Sequence, residues 1–140
     1  YAVTVKIYGP TASRAARALW IVHELGIPFE HVALEMKDLK GPEFLKINPN
    51  GKVPAMVDGD FKLFESMAIN LYLAAKYNKN GFWPAALEDQ ARCQQWSFWG
   101  MTEVEKPLLT ILMRSTLGTM LMMSSAISIS SSVGVPYEVE

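Results

Sequence analysis

The sequence predicts an α/β N-terminal domain of order βαβαββα, followed by a partial all-α C-terminal domain. Three observations carry that prediction. An alternating, β-branched run opens the chain and leads into a helical repeat and a second β-rich run. An Asp58-Gly59 pair joins two further short strand-like runs. From Ala85 onward apolar residues recur at helical spacing and no strand is needed.

Taken in order, Val3 to Tyr8 alternates and reads as the first strand, broken by Gly9-Pro10. Ser13 is placed to cap a helix whose residues Ala15, Ala18, Leu19, Val22 and Leu25 fall on one face. Gly26 and Pro28 close it. Phe29 to Leu34 is the second strand, and strand–helix–strand implies a parallel pair. Gly41-Pro42 opens a short helix through Ile47, with Pro42 suited to its first turn. The layout through the third helix is thioredoxin-like. The domain limits read as 1–78 for the α/β domain, 79–84 for a turn-rich linker (NKNGFWP marks it) and 85–140 for the helical part. Within the latter, Trp96 and Trp99 at i, i+3 are expected to pack a seam, and Pro107 to kink a long helix. The 23 residues from Ser115 to Tyr137 carry no charge and include seven serines, a low-complexity tail rather than a membrane helix.

Composition narrows the function classes. The 140 residues are 19% charged with a net charge of −1, so nothing points to nucleic acid. A single cysteine, Cys93, rules out an internal disulfide, fits a reducing compartment, and is expected to be a small buried hydrophobe. Tyr1 leads straight into the first strand without a signal peptide, so the expected location is cytoplasmic, with no membrane partner. His23 and His31 lack metal-ligand spacing, and no metal is expected.

The stretch from Asn48 to Tyr77 carries the chemistry. Val53 to Val57 and Phe61 to Phe64 form a hairpin, with Pro54 demanding a sheet edge, a special bend or a cis bond. Glu65-Ser66 sits where a helix must start, with free N–H groups that attract a carboxylate. An open backbone edge beside such a terminus suits a small, anionic, peptide-like ligand. The loop Pro10-Thr11-Ala12-Ser13-Arg14 holds no cysteine, so thiol–disulfide exchange has no thiolate of its own to use. A hydroxyl there has another use: donating to the sulfur of a bound thiol favours its charged form and makes it nucleophilic.

The ordered motifs N-P-x-G-K-V-P-A at 48–55 and L-F-E-S-x-A-I at 63–69 resemble the glutathione-binding half of cytosolic glutathione transferases, of the serine type and phi-, theta- or bacterial-like. The resemblance runs from about Val3 to Leu112. It implies the glutathione transferase fold, with glutathione as co-substrate, a small apolar electrophile as second substrate, a detoxifying role and a homodimer. It implies Ser13 as the activating hydroxyl, with Thr11 or the tyrosine Tyr8 as substitutes. Ser13 as a plain helix cap, and Tyr8 as strand-end packing, stay open. By the same resemblance Val53 pairs its backbone with the cysteinyl part beside a cis-Pro54, and Glu65 and Ser66 hold the γ-glutamyl amine and carboxylate. Lys52 and Lys40 then reach the glycyl carboxylate. Many members carry an arginine after that serine; here Met67 takes its place. Full-length members also have about five or more helices after the linker, against one clear helix here. The alternative reading is a non-catalytic interaction module on the same scaffold, similar to the glutathione-transferase-like domain of the elongation factor 1 gamma subunit or to regulatory relatives.

Overall fold

A computed structural model describes residues 5–78 and 81–115. Strands β1 (Val5–Tyr8), β2 (Phe29–Val32), β3 (Ala55–Asp58) and β4 (Phe61–Phe64) form one mixed sheet in the order β2-β1-β3-β4. β1 and β2 are parallel, while β3 runs antiparallel to both β1 and β4. Helices α1 (Ala15–Glu24) and α3 (Ser66–Lys76) pack together against one face. A 3-10 turn (Met36–Lys40) and the short α2 (Pro42–Leu45) belong to the other. This is the thioredoxin-like arrangement.

The period of two along the strands sorts the residues into two cores. Val5, Ile7 and Met56 face Ala18, Leu19 and Val22 of α1 and Ile69 and Leu73 of α3. Their neighbours Tyr8 and Ala55 turn the other way and meet Leu39 and Phe44. Ile7, Val22, Met56, Ile69 and Leu73 are fully buried.

Several boundaries differ from the sequence expectations, each for a local reason. Asp58 pairs with Phe61 inside the ladder, so the hairpin turn is Gly59-Asp60, with Gly59 at φ 62°. Pro54 lies just before β3 rather than within it, where its missing N–H costs no ladder bond. β2 stops at Val32 instead of Leu34, because β1, its partner, stops at Tyr8. The short helix ends at Leu45, and its continuation to Asn48 is a turn closed on the Phe44 carbonyl.

The chain divides into two compact units, Tyr1–Gln94 and Gln95–Glu140. Helix α4 runs Leu87–Trp99, a π-helical turn follows at Gly100–Val104, and α-helix resumes over 105–115. The irregularity therefore falls before Pro107 rather than at it. A proline ring presses on the carbonyl four residues back, and a widened preceding turn relieves that pressure. Trp96 and Trp99 do not form the expected buried seam: they are 61% and 50% exposed and stack edge-to-face on each other at 5.6 Å. Cys93 is half-buried, not the fully buried hydrophobe expected. No helix among the described residues is long and apolar enough to cross a membrane. The low-complexity run of 116–137 lies outside the described residues.

Candidate functional site

Three segments converge at the C-terminal end of β1: the β1–α1 loop, the loop entering β3, and the start of α3. The first leaves β1 through Gly9 at φ 131°, where an added Cβ would come within 2.8 Å of the Val53 Cβ and 2.9 Å of the Ala15 Cβ. Only glycine permits that approach, which seats the loop against Val53. The Gly9 N–H donates to the Val32 carbonyl at 3.0 Å, and His31 Nε2 donates to the Gly9 carbonyl at 2.7 Å.

Ser13 is half-buried in this loop. Its hydroxyl donates to the Pro10 carbonyl at 2.6 Å and accepts from the Ala15 N–H at 3.1 Å. The N-cap residue is Arg14, one position later than a Ser13 cap implies, yet the Ser13 oxygen still satisfies the first helical N–H. Thr11 is exposed. Tyr8 lies in the second core, its ring 6.1 Å from that of Phe44.

The loop entering β3 is organised by Asn48, 2% exposed. Its amide donates to the Lys52 carbonyl at 2.6 Å and its oxygen accepts from the Asn50 N–H at 3.0 Å. Lys40 Nζ donates to the Asn50 carbonyl at 3.0 Å, so the two candidate lysines belong to one loop cluster, with Lys52 exposed beside it. The Val53–Pro54 peptide is cis and Pro54 is buried.

At the start of α3, Glu65 holds φ 73° and ψ 116°, the one non-glycine residue with positive φ among those described. Such a conformation costs on the order of 1–3 kcal/mol and persists where the surroundings demand it. Ser66 follows, 5% exposed, and its oxygen accepts from Arg17 Nη1 of α1 at 3.1 Å. Glu65→Gly is therefore expected to stabilise the fold by about 1 kcal/mol in denaturant titration, since glycine adopts positive φ without that strain. No gain would mean that the Glu65 backbone carries no strain.

An apolar groove of about 260 Å³ lies between α1 and α3, walled by Trp20, Ile21, Met67 and Phe82 with Arg17 and Asn70 among its polar members. Trp20 Nε1 donates to Glu24 at 2.8 Å. The Asn70 side-chain oxygen is buried and has no hydrogen-bond partner among the described residues. No group of three metal-binding side chains occurs among the described residues.

The structure thus seats the Ser13 loop against Val53 through Gly9, ties Lys52 to Asn48 and Lys40 to Asn50 in one loop, and joins Ser66 to α1 through Arg17. Tyr8 goes to the core. Sequence reasoning passed over Arg17 and Asn48. Arg17 stands four residues after Ser13, one helical turn along, amid alanines, a spacing that marks a cation on a packed face. Asn48 heads an Asn-Pro-Asn-Gly run, the signature of a side chain that closes a turn.

Comparison with known proteins gives the family. A family model, glutathione S-transferase N-terminal domain, matches residues 3–75. Glutathione S-transferase F9 of Arabidopsis thaliana is 36% identical over 113 residues, 78% of this chain and 53% of its own. A theta class glutathione S-transferase from Xanthomonas axonopodis pv. citri, solved with glutathione bound, superposes with a TM-score of 0.67 at 32% identity, over 72% of this chain and 50% of that one. Ure2p in complex with glutathione superposes at 0.66 with 26% identity, over 71% and 49%. The chain belongs to the glutathione S-transferase family. It spans about half the length of the curated relatives it matches.

Proposed function

We propose that residues 1–78 bind reduced glutathione and present its sulfur, as a thiolate, to a small apolar electrophile. The observation that carries this reading is the start of α3, where Glu65, held at positive φ, immediately precedes the buried Ser66 and the open helix N–H groups. An acid next to an anion-accepting terminus matches the paired ammonium and carboxylate of a γ-glutamyl group. The Val53 backbone takes the cysteinyl part, and Lys40 and Lys52 take the glycyl carboxylate.

The Ser13 hydroxyl then turns from the Pro10 carbonyl to the glutathione sulfur. Donation to sulfur lowers the thiol pKa and the proton passes to solvent. The thiolate lone pair forms the new C–S bond while the leaving group departs with its bonding electrons. Thr11 and Tyr8 are the substitute donors, the first exposed and the second drawn into packing. Residues 79–84 serve as linker, 85–140 as the helical region, and the working form is a cytoplasmic homodimer. Family membership supports these last three assignments.

A second reading, glutathione binding without catalysis in an interaction module, is favoured by one observation. Ser13 spends its proton on the Pro10 carbonyl at 2.6 Å, so activation requires breaking a short bond. Retention on a glutathione matrix together with turnover of a chromogenic aryl halide decides between them. Retention with turnover supports the transferase and retention alone the module; failure on both counts overturns both. Within either reading, Ser66→Ala is expected to weaken glutathione binding by about 1–3 kcal/mol in calorimetry. Unchanged affinity in the folded variant removes Ser66 from the site.

A further inference from the structure

Two hydrogen bonds tie the β1–α1 loop to β2 among the described residues, and both fall on Gly9. The first, from the Gly9 N–H to the Val32 carbonyl at 3.0 Å, continues the parallel ladder one residue past Tyr8. One step further, the Gly9 carbonyl would accept from a backbone N–H of β2. β2 has ended at Val32, and His31 Nε2 takes that carbonyl instead, at 2.7 Å. The period of two sets His31 on the same face of β2 as Phe29, which packs against the core that α1 covers. His31 itself is exposed, so burial gives no reason for an imidazole there.

The held carbonyl belongs to the Gly9-Pro10 peptide. Pro10 has no N–H of its own to anchor it, and its ring fixes φ. Holding the plane of that peptide therefore fixes the Pro10 ring and narrows the directions open to the Pro10 carbonyl. That carbonyl is the acceptor on which the Ser13 hydroxyl rests at 2.6 Å. We propose that His31 is a positioning residue for Ser13: its grip on the Gly9 carbonyl keeps the loop in the orientation from which the Ser13 hydroxyl reaches a bound thiol sulfur. The inference rests on the reading of Ser13 as the donor to sulfur. His31 acts on the loop and not on the sulfur. Without its bond the loop samples other orientations, and the hydroxyl is aimed for a smaller share of the time.

The test titrates the ultraviolet thiolate absorbance of glutathione bound to the full chain. His31→Phe is expected to lower the thiolate fraction near pH 7 about fivefold, the scale of one net hydrogen bond. Affinity for glutathione, measured by calorimetry, stays within about twofold, because the bond holds the loop and not the tripeptide. His31→Gln keeps an N–H at comparable reach and restores the thiolate fraction to within about twofold of the unmodified value. In a Ser13→Ala background His31→Phe moves the titration no further, since the hydroxyl it positions is gone. An unmoved titration in His31→Phe overturns the proposal, as does an equal move with and without Ser13. A glutamine variant as low as the phenylalanine one overturns it too. If the phenylalanine variant fails to fold, His31→Thr, a strand-favouring residue too short to reach the Gly9 carbonyl, replaces it in every comparison. A titration that Ser13→Ala itself leaves unmoved fails Ser13 and this proposal together. One that moves with Ser13→Ala but not with His31→Phe fails His31 alone. Absence of glutathione binding by the unmodified protein overturns the site as a whole.

Discussion

Ser13→Ala is expected to lower kcat/KM for glutathione conjugation about 10²-fold, the scale of removing one preorganised donor from a developing or resident negative charge. Affinity for glutathione should stay within about threefold, because in the proposed site Ser66, Val53 and the lysines hold the tripeptide independently of the sulfur donor. The thiol of the bound ligand should titrate at higher pH, read as thiolate absorbance, since a hydrogen bond to the charged form has gone. Tyr8→Phe is expected to change turnover less than about twofold, as a ring that packs on Phe44 in the second core keeps its contacts without the hydroxyl. A Ser13→Ala enzyme with full activity and an unmoved thiol titration transfers the role to Thr11 or Tyr8. Loss of fold in place of loss of rate assigns Ser13 to the loop alone, through its bonds to Pro10 and Ala15.

Asp58→Ala is expected to destabilise the fold by about 3 kcal/mol in denaturant titration, the cost of emptying a buried charged site whose partners remain. The Asp58 side chain is 2% exposed and accepts from Lys76 Nζ at 2.6 Å and from the hydroxyls of Tyr72 and Tyr77 at 3.0 Å each. It ties the end of β3 to the last turns of α3. Burial alone would raise its pKa, but the hydrogen bonds from Lys76, Tyr72 and Tyr77 outweigh burial and hold the carboxyl below its ordinary value. A depressed folded value means this stability is present above the unfolded carboxylate pKa of about 3.9 and is lost as pH falls through the folded value.

On the alkaline side the sign reverses. Lys76 is raised above the ordinary lysine value, mainly by its hydrogen bond to Asp58, and Tyr72 is raised, mainly by burial. Their share is present below the unfolded pKa values near 10 and is lost as pH rises through the folded ones. Unfolding free energy measured from pH 2 to 7 should therefore rise more steeply in the unmodified protein than in Asp58→Ala. Parallel curves would show that Asp58 is no more stabilised when folded than unfolded.

The elements of the first 78 residues were legible because each is written locally. Alternation gave the β1 run, the Asp58-Gly59 pair marked the hairpin that returns as β4, and Gly26 with Pro28 closed α1, since backbone sterics and strand periodicity act over a few residues. The ordered motifs at 48–55 and 63–69 pointed to a thiol-peptide site for the same reason: they sit on one turn, one hairpin and one helix start. Boundaries slipped by a residue or two where pairing partners decided them, as at Val32 and Asp58. The helical part was less legible. Apolar spacing announced a helix through Trp96 and Trp99 but not that both rings stand exposed, nor that the turn before Pro107 widens.

Sequence alone determined which residue types are available: a hydroxyl loop without a thiol, an acid and a serine at a helix start, and lysines flanking the approach to β3. Tertiary structure decided which of them meet. It packed α1 on α3 so that Arg17 reaches Ser66, pressed Gly9 against Val53, and drew Tyr8 into the core. Contacts between residues so far apart in the chain depend on how the sheet orders its strands and which faces bury together, and no local pattern of side chains carries that information.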